Sequence, residues 1–442
     1  MFPLSQQQLA KVMSDLSITD ISRATIRQIC HLAQILGELA EEEFVHLEIG
    51  NPGLEASPTG VQAECQSLLE GVANKYPDIG GVPQLKKAGA RFLKAFLDID
   101  LGEGATIVPT VGSMQGTFSV MNLLKECAPG ERDTILFINP GFPAQRSQAH
   151  LLGLKERSFD IYDYRGEALR DKLREMLADG RVAAIIYCNP NNPAWINLTE
   201  DELRILGEEA TANDVIIMED LAYLGMDFRV YAGKPFMPPY VPTVAHYTDN
   251  YILFVSASKI FSYAGQRIAM ACFSPALYSR SYEGLKSFFG IPRLGDAYVF
   301  GVLYALSSGT SHSAQRAFAA MLDAAADGTI DFVADCHEYA RRAALTKKIF
   351  TDNGFHIIYD RDADGRHIAD GFFFTAGYGD LTSAELQQEL LRHGVSAISL
   401  PSTGSRQEGL RICVSMISDD KTFQDLDRRL KNFHDEQQRK QH

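Results

Sequence analysis

The sequence has little that would place the protein in a membrane or outside the cell. No apolar run approaches the ~20 residues that a membrane-spanning helix needs. The seven cysteines are scattered, odd in number and include no Cys-x-x-Cys pair, so we expect neither a disulfide framework nor a metal site. The first residues lack a basic segment followed by an apolar one, which predicts no signal peptide and a cytoplasmic location.

Basic residues are scarce relative to acidic ones. Lys and Arg number 42 and Asp and Glu 56, which gives a net charge of −14. Proteins that bind nucleic acid hold its phosphates with an excess of basic residues, so this charge argues against a nucleic-acid partner. Small anions need only a local cluster of donors, and the charge does not argue against them.

The middle of the chain alternates between short apolar runs and amphipathic helical stretches. The apolar runs are rich in β-branched residues and cover 106–109, 134–138, 182–187, 215–218, 252–255 and 268–273. This alternation predicts an α/β fold with a mostly parallel sheet flanked by helices. Sheets of this kind bind ligands outside the carboxyl ends of their strands, where the polar motifs of this chain fall.

The two ends of the chain predict a second, smaller α+β domain. Residues 1–45 are helical in pattern, and strands are expected at 371–376, 395–399 and 410–414 around a helix at 383–393. We expect an N-terminal helical arm and part of the small domain in 1–55, a large domain in 56–325, and the rest of the small domain in 326–442.

A lysine follows one of the buried strands, and the hydroxyl and guanidinium groups near it in sequence are of the kind that bind a phosphate. The run 251–255 leads into Ser256-Ala257-Ser258-Lys259, and Arg267 follows eight residues later. The amine of Lys259 could form a Schiff base, while the two hydroxyls and the arginine could hold a phosphate. This combination suggests the anchor of pyridoxal 5′-phosphate (PLP); the alternative is a surface lysine after a core strand.

A glycine-containing turn joins another strand to a helix at 110–116. Its small residues would let the backbone N–H groups of Gly112, Ser113 and Met114 point at an anion near the positive end of the helix dipole. The spacing matches neither a dinucleotide fingerprint nor a P-loop. Taken alone, such a turn is most often only a tight corner.

Two turns after strands carry further candidates. Phe142, in Pro140-Gly141-Phe142-Pro143, could stack on an aromatic ring, or it could be an ordinary core or loop phenylalanine. Asn192, in Asn189-Pro190-Asn191-Asn192-Pro193, could donate to a phenolate oxygen, or the motif could simply be a rigid turn.

Charged residues at the ends of buried strands need partners. Asp220 could accept from a pyridinium N–H, with Tyr223 pointing into the same space, or it could cap a helix. Arg411 lies in an apolar strand and requires a carboxylate or phosphate, which could be a ligand or an internal acidic side chain.

Taken together, these motifs resemble the class I/II aminotransferases of PLP fold type I, which are aspartate-aminotransferase-like. The resemblance spans about residues 20 to 430 and rests on six motifs in family order. They are Gly50-x-Pro52, Tyr76 with Gly81, Asn189-Pro-x-Asn-Pro193, Asp220-x-x-Tyr223, Ser-x-Ser-Lys259 with Arg267, and Arg411.

The resemblance implies a role for each candidate residue. Lys259 would form the Schiff base and move the proton, Asp220 would pair with the pyridine nitrogen, and Phe142 would stack on the ring. Tyr223 and Asn192 would bind the phenolate oxygen, and Arg411, with Gly50 and Asn192, would bind the substrate. The phosphate would be held by Gly112, Ser113, Met114, Ser256, Ser258, Arg267 and, across a homodimer, Tyr76.

Some positions depart from the family pattern. Asn192-Pro193 is followed by Ala194-Trp195, where the family often has Thr-Gly, and Met114 has no side-chain donor where some relatives have threonine. The stretch 400–405 replaces a more usual Pro-Gly-x-x-Phe. Arg293, 34 residues after Lys259, is a candidate for binding a distal carboxylate, with a surface or structural arginine as the alternative.

The function implied is transamination. An α-amino acid would give its amino group to the cofactor and a 2-oxo acid would take it back, in a ping-pong cycle. A β-lyase or an amino-acid decarboxylase on the same fold remains open, because reaction choice depends on which bond at Cα stands perpendicular to the ring. A non-catalytic PLP-binding regulator would place a basic DNA-binding domain first, whereas only about 45 acidic-leaning residues precede the core here.

Overall fold

The computed structural model describes residues 2–441. Its strands are β1 (Val45–His46), β2 (Ile107–Val111), β3 (Thr134–Asn139), β4 (Lys155–Asp160), β5 (Val182–Cys188), β6 (Ile216–Asp220), β7 (Tyr251–Ser256), β8 (Ile268–Phe273), β9 (His356–Ile357), β10 (Phe373–Gly377), β11 (Val395–Ser396), β12 (Ile398–Ser399) and β13 (Leu410–Cys413).

The helices lie between and around these strands. They are α1 (Gln6–Asp15), α2 (Ile26–Ala40), α3 (Pro58–Leu69), α4 (Pro83–Leu97), α5 (Gly112–Cys127), α6 (Pro143–Leu151), α7 (Glu167–Leu177), α8 (Glu200–Ala212), α9 (Ala257–Ile260), α10 (Pro275–Ser279), α11 (Glu283–Phe289), α12 (Leu294–Asp296), α13 (Tyr304–Leu306), α14 (His312–Ala326), α15 (Phe332–Cys336), α16 (Glu338–Asp352), α17 (Ser383–Arg392) and α18 (Asp420–Gln441).

The large sheet contains seven strands in the order β2-β8-β7-β6-β5-β3-β4. All neighbours are parallel except β8, which runs antiparallel to β2 and β7. The strands β5, β7 and β8 are buried along their whole length, and apolar side chains from the flanking helices cover both faces. The α/β fold class predicted from the sequence is confirmed.

A second group of strands joins the two ends of the chain. β1 pairs in parallel with β11, so that Val45 lies opposite Val395. The sheet β12-β13-β10-β9 is antiparallel, and α16, α17 and α18 pack with it around a separate apolar cluster. The small α+β unit therefore draws on both ends, as the sequence predicts, while the boundaries at 55 and 326 stay a prediction.

The local sequence explains where several helices begin. The helix α2 begins with a capping box. The Thr25 side chain accepts from the backbone N–H of Gln28, and the Gln28 side chain accepts from the backbone N–H of Thr25. Helices α4 and α6 each begin with proline at their first turn, where its missing N–H costs nothing. Within residues 2–441, no helix combines the length and apolar content needed to cross a bilayer.

Candidate functional site

The site forms where the carboxyl ends of three adjacent parallel strands meet. The strands β5, β6 and β7 are neighbours in the sheet and end at Cys188, Asp220 and Ser256. The asparagine–proline turn, Asp220 and the segment that carries Lys259 consequently lie side by side. The end of β2 also faces this region, because Val111 pairs with Ile268 at the start of β8.

Lys259 lies on the short helix α9, directly after β7. Its Nζ donates a hydrogen bond to the carbonyl oxygen of Gly50 and lies 5.1 Å from the centroid of the Phe372 ring. Burial lowers the pKa of this amine to about 8, and the positive charges of Arg411 and Arg267 act in the same direction. About a tenth of the amine is therefore neutral and nucleophilic at pH 7, far more than for an ordinary lysine.

Asp220 ends β6 and is almost completely buried. Its Oδ2 accepts from Nε2 of Gln145 at 3.0 Å, and its Oδ1 accepts from the backbone N–H of Ala222 at 3.2 Å. Burial raises the pKa of this carboxyl to about 6. Both donors are neutral, so within residues 2–441 the carboxylate has no cationic partner.

The ring of Tyr223 is held by aromatic neighbours. Its centroid lies 5.1 Å from that of Trp195, 5.4 Å from that of Phe372 and 5.5 Å from that of Phe373. Burial raises the pKa of the phenol well above its ordinary value. The ring packing fixes where the hydroxyl points and keeps it protonated.

Two of the three asparagines in the asparagine–proline turn stabilise the turn itself, and the third faces Arg411. Asn189 accepts from the backbone N–H of Leu198 at 3.1 Å. Asn191 donates to the carbonyl of Pro140 at 2.8 Å and accepts from the N–H of Ala194 at 2.9 Å. These two hold the turn itself, as the rigid-turn interpretation requires, whereas Asn192 is buried and faces Arg411.

Arg411 is only 2% exposed and is incompletely satisfied. Its Nη2 donates to the carbonyl of Glu48, its Nη1 lies 3.5 Å from Oδ1 of Asn192, and its guanidinium carbon lies 4.8 Å above the ring of Phe373. The Nε atom is buried with no partner. Within the described chain no acidic side chain forms an ion pair with it, so the internal-carboxylate alternative is not what the structure contains.

Hydroxyl and backbone donors gather at the start of α5 and α9. Gly112 adopts a φ of +65°, which favours glycine, and a Cβ there would lie 2.5 Å from Nη2 of Arg267, so a larger residue would displace that side chain. The Oγ of Ser113 is buried without a partner, while Ser256 Oγ donates to Ser258 Oγ at 2.9 Å. These donors surround the N-terminus of a 16-residue helix, an arrangement that suits an anion.

The remaining sequence candidates occupy different surroundings. Phe142 caps α6 and is half-buried, and the carbonyl of Met114 accepts from Nε2 of Gln148 at 2.7 Å. Tyr76 is 96% exposed and lines a surface cavity together with residues 307–313. Arg293 is half-exposed and lies 3.5 Å from the carboxylate of Asp296, and its part in binding a distal carboxylate stays a prediction.

Four residues of the site were not singled out from the sequence. They are Glu48, Gln145, Phe372 and Phe373, which contact Arg411, Asp220, Lys259 or Tyr223. Gln145 had a signal, because it follows Phe142 by three residues and so lies on the same helical turn. Phe373 begins β10 and Phe372 directly precedes it, in an apolar run where nothing distinguishes them from core residues.

Comparison with known proteins agrees with this geometry. Residues 42–424 match the family described as aminotransferase class I and II. An LL-diaminopimelate aminotransferase of Aquifex aeolicus is 30% identical over 237 residues, and an aspartate aminotransferase of Bacillus subtilis is 26% identical over 244. Each alignment covers 52% of this chain and 57% or 56% of the relative, so the chain matches little more than half the length of these relatives.

Solved structures share the whole fold. An aspartate aminotransferase from Thermotoga maritima superposes with a TM-score of 0.73 at 15% identity, covering 98% of this chain and 100% of the other. An N-succinyldiaminopimelate aminotransferase from Mycobacterium tuberculosis gives 0.70 at 21% identity, covering 96% and 99%. Such identities establish the fold, and the family match extends over most of the chain. The chain belongs to the class I and II aminotransferases, a PLP-dependent family, as its motifs predict.

Proposed function

We propose that the protein is a PLP-dependent transaminase that moves an amino group from an α-amino acid to a 2-oxo acid by a ping-pong mechanism. One observation supports this most strongly. Lys259, Asp220 and Arg411 are gathered at one site, and none of them forms an ion pair within residues 2–441. Buried charged groups require partners, so the site is built for a ligand that carries complementary groups.

The residues present fit PLP. When bound, PLP supplies an aldehyde that condenses with amines and a pyridine ring that accepts electron density. Asp220 provides an acceptor for the ring N–H, and the unpartnered Ser113 Oγ provides a donor for the phosphate. Lys259 provides an amine whose pKa is already lowered to about 8.

The phosphate is assigned to the cluster of hydroxyl and backbone donors at the start of α5, here called the phosphate cup. Backbone N–H groups of Ser113 and Met114 lie at the positive end of this helix, where an anion is stabilised, whereas the N–H of Gly112 donates to the carbonyl of Arg267 at 2.8 Å. Ser256, Ser258 and Arg267 complete the set from the neighbouring segment. The ring is assigned to the space beside Phe142, with Asn192 and Tyr223 toward its phenolate oxygen.

Lys259 is assigned two tasks that follow from its burial. It attaches the cofactor, and once displaced by substrate it takes and returns a proton at the substrate Cα. A catalytic base works best when its pKa lies close to the working pH, and the lowered pKa of Lys259 meets that requirement. The ring of Phe372 packs beside the Nζ of Lys259.

Arg411 is assigned to the substrate α-carboxylate. Its Nε has no partner and its Nη1 is only weakly engaged, so the guanidinium keeps N–H donors for a carboxylate. Asn192 and the Gly50 segment flank that position. The face of Phe373 covers the guanidinium, and this contact orients its plane.

We also propose a homodimer in which Tyr76 reaches the partner's phosphate site. Large apolar side chains are exposed at Leu69 (84%), Tyr76 (96%), Phe300 (58%) and Tyr304 (62%), and a dimer interface over them would remove them from water. Phe300 and Tyr304 are four residues apart along continuous helical backbone, so they share one face.

The seven cysteines are all free, which supports a cytoplasmic location.

The dimer proposal is tested by mixing two inactive variants, Lys259→Ala and Tyr76→Ala. If Tyr76 acts across the interface, each mixed dimer contains one intact site and one doubly defective site. After exchange of subunits, an equal mixture should recover about a quarter of wild-type activity, since half the dimers are mixed and half their sites are intact. No recovery, with mixed dimers demonstrated by differential tagging, would place Tyr76 in its own subunit's site or in neither.

The reaction is tested by titrating purified holoenzyme with single L-amino acids in the absence of a 2-oxo acid. Transamination predicts loss of the aldehyde absorbance and one equivalent of 2-oxo acid per site, after which the reaction stops until a 2-oxo acid is added. Lys259→Ala is the control. Continuous release of carbon dioxide or sulfide without this stoichiometric stop would instead identify a decarboxylase or a lyase.

A further inference from the structure

Three consecutive backbone carbonyls accept hydrogen bonds from side chains at the site, among them those of Arg411 and Lys259. The carbonyl of Glu48 accepts from Nη2 of Arg411, that of Ile49 accepts from Oγ of Ser415 at 3.5 Å, and that of Gly50 accepts from Nζ of Lys259. The amine and the guanidinium therefore rest on the same short segment, 48–50. A shift of this segment moves both of them together.

The segment itself lies beyond the regular strand. β1 ends at His46, and the last backbone hydrogen bonds that follow it are made by Leu47, with Ser396 and Cys413. From Glu48 onward the position of the backbone depends on other contacts. The side chain of Glu48 supplies them.

The carboxylate of Glu48 is completely buried and tied at both oxygens. Oε1 lies 2.8 Å from Nδ1 of His46, and Oε2 accepts from Oγ of Ser396 at 2.5 Å. These contacts connect the segment to β1 and to its partner strand β11. The carbonyl of the same residue binds Arg411, and the charge of the carboxylate raises the pKa of Arg411 against the effect of burial.

The His46–Glu48 pair is electrostatically coupled. Burial opposes ionisation of Glu48, but the hydrogen bond and charge of His46 outweigh it, and the pKa of Glu48 is lowered. The same hydrogen bond raises the pKa of His46. When His46 is protonated the pair is neutral, and when His46 loses its proton a net negative charge remains behind Arg411.

Other charged groups face this pair from the surrounding elements. Glu43, before β1, raises the pKa of His46, and Arg429 on α18 lowers it. Cys30 on α2 faces Glu48 and has its own pKa raised by burial and by that carboxylate. Cys30 stays neutral and Arg429 stays charged near neutral pH, so His46 is the group of this cluster that changes charge there.

We propose that Glu48 is a positioning residue for the substrate carboxylate site: pinned by His46 and Ser396, it fixes the carbonyls that hold Arg411 and Lys259, and it makes carboxylate binding depend on the charge of His46. This inference rests on the proposed role of Arg411. As pH rises and His46 deprotonates, the uncompensated charge of Glu48 opposes an incoming carboxylate. Carboxylate affinity should therefore be higher below the pKa of His46 than above it.

Two probes that differ only in a carboxylate measure this property. Aminooxyacetate and O-methylhydroxylamine both react with the holoenzyme chromophore, and the ratio of their second-order rate constants reports the carboxylate contact. Effects on the cofactor or on Lys259 change both rates and cancel in the ratio. In wild type the ratio should exceed ten and fall as pH rises through the titration of His46.

Four variants separate anchoring from charge. Glu48→Ala removes both anchors and should lower the ratio by about 10- to 100-fold, as misplacement of a binding group does. Ser396→Ala removes one anchor and should give a smaller loss. Glu48→Gln keeps the shape but removes the charge that raises the pKa of His46, so it should retain the ratio at low pH and move its fall to a lower pH. Glu43→Gln removes an exposed charge near His46 that does not contact segment 48–50, and it should keep most of the ratio and of its pH dependence.

A structural measurement on the cofactor-free protein accompanies the kinetics. Amide hydrogen exchange at Ile49 and Gly50 should accelerate in Glu48→Ala and Ser396→Ala and remain unchanged in Glu43→Gln. If folded Glu48→Ala and Ser396→Ala both keep the wild-type ratio, the inference is wrong while the proposed function stands. If wild type itself shows no preference for the carboxylate probe, the assignment of Arg411 fails, and this inference fails with it.

Discussion

Gln145 donates a hydrogen bond to Asp220 across 3.0 Å, and this contact joins the first turn of α6 to the end of β6. Both side chains are buried. The same helical turn carries Phe142, so one turn supplies the proposed cover of the cofactor ring and the group that orients the carboxylate beneath it. Because a hydrogen bond from the amide favours the ionised carboxyl, Gln145 opposes the effect of burial on Asp220.

Gln145→Leu should weaken cofactor binding, and more so at low pH. Without the donor the pKa of Asp220 rises further above about 6, so at pH 6 most of the carboxyl is protonated and cannot accept from the ring N–H. We expect the dissociation constant for PLP to rise about 10- to 100-fold at pH 6 and less at pH 8. Equilibrium dialysis of apoprotein against PLP at the two pH values measures it.

The control for this variant is Gln387→Leu, which also removes a buried glutamine donor. Gln387 donates to the carbonyl of Ala397 at 2.8 Å and lies on α17, in the small domain. Its loss should lower the free energy of unfolding and leave the pH dependence of cofactor binding unchanged. An equal loss of affinity at both pH values in Gln145→Leu would contradict the proposed link to Asp220.

Borohydride reduction of the holoenzyme should attach the cofactor to Lys259 and not to Lys86. Burial lowers the pKa of both amines to about 8, so their intrinsic reactivity does not distinguish them. Lys86, however, is bound to the carbonyls of Ala105 and Ile107, away from the phosphate cup. Peptide mapping by mass spectrometry identifies the modified lysine, and Lys259→Ala should abolish the adduct while Lys86→Met retains it.

Covalent capture of PLP by the apoprotein should follow the titration of Lys259. Only the neutral amine reacts, and with a pKa of about 8 roughly a tenth of it is neutral at pH 7, against less than a thousandth for an ordinary lysine. The stopped-flow capture rate should therefore rise about tenfold per pH unit below 8 and level off above it. A rate that keeps rising up to pH 10 would show that burial does not depress the amine.

Much of the fold was predictable because buried parallel strands are continuous apolar runs. The edge strand β4 was not predicted, since Lys155, Glu156 and Arg157 face solvent and hide its strand character. The segment 395–399, expected as one strand, is two: β11 pairs with β1 and β12 with β13. The partner of β11 lies 350 residues away, at Val45, and local pattern does not contain that information.

Lys259, Asp220 and Arg411 could be singled out from the sequence because each is a charged residue after or within a buried strand, and the structure brings them together while their roles stay predictions. The supporting residues could not be singled out. Glu48 contacts Ser396 and Arg411, which lie far along the chain. No residue close to Glu48 in the sequence predicts these contacts. Tyr76 depends on a second copy of the chain and stays a prediction.

Trp195 stands where the family often has glycine, and its indole contacts Gly371. Measurements of stability can test that contact. Trp195 is fully buried, packs against Tyr223, and occupies the space beside Gly371, just before β10. A Cβ at position 371 would lie 2.1 Å from the indole Nε1. Gly371→Ala should therefore lower the free energy of unfolding by about 1–3 kcal/mol, because the indole and the strand must move apart.

A double-mutant cycle tests whether the indole is the cause. Trp195→Phe alone should also be destabilising, since the smaller ring leaves a cavity. In Trp195→Phe/Gly371→Ala, however, the new methyl group enters space that the indole has left, so the combined loss should be smaller than the sum of the two single losses by about 1 kcal/mol or more. Urea unfolding followed by circular dichroism measures each corner. Gly265→Ala, where a Cβ meets nothing within 4 Å, is the matched control and should combine additively with Trp195→Phe. Additivity of the Gly371 pair would mean that the strand, and not the indole, resists the added methyl group.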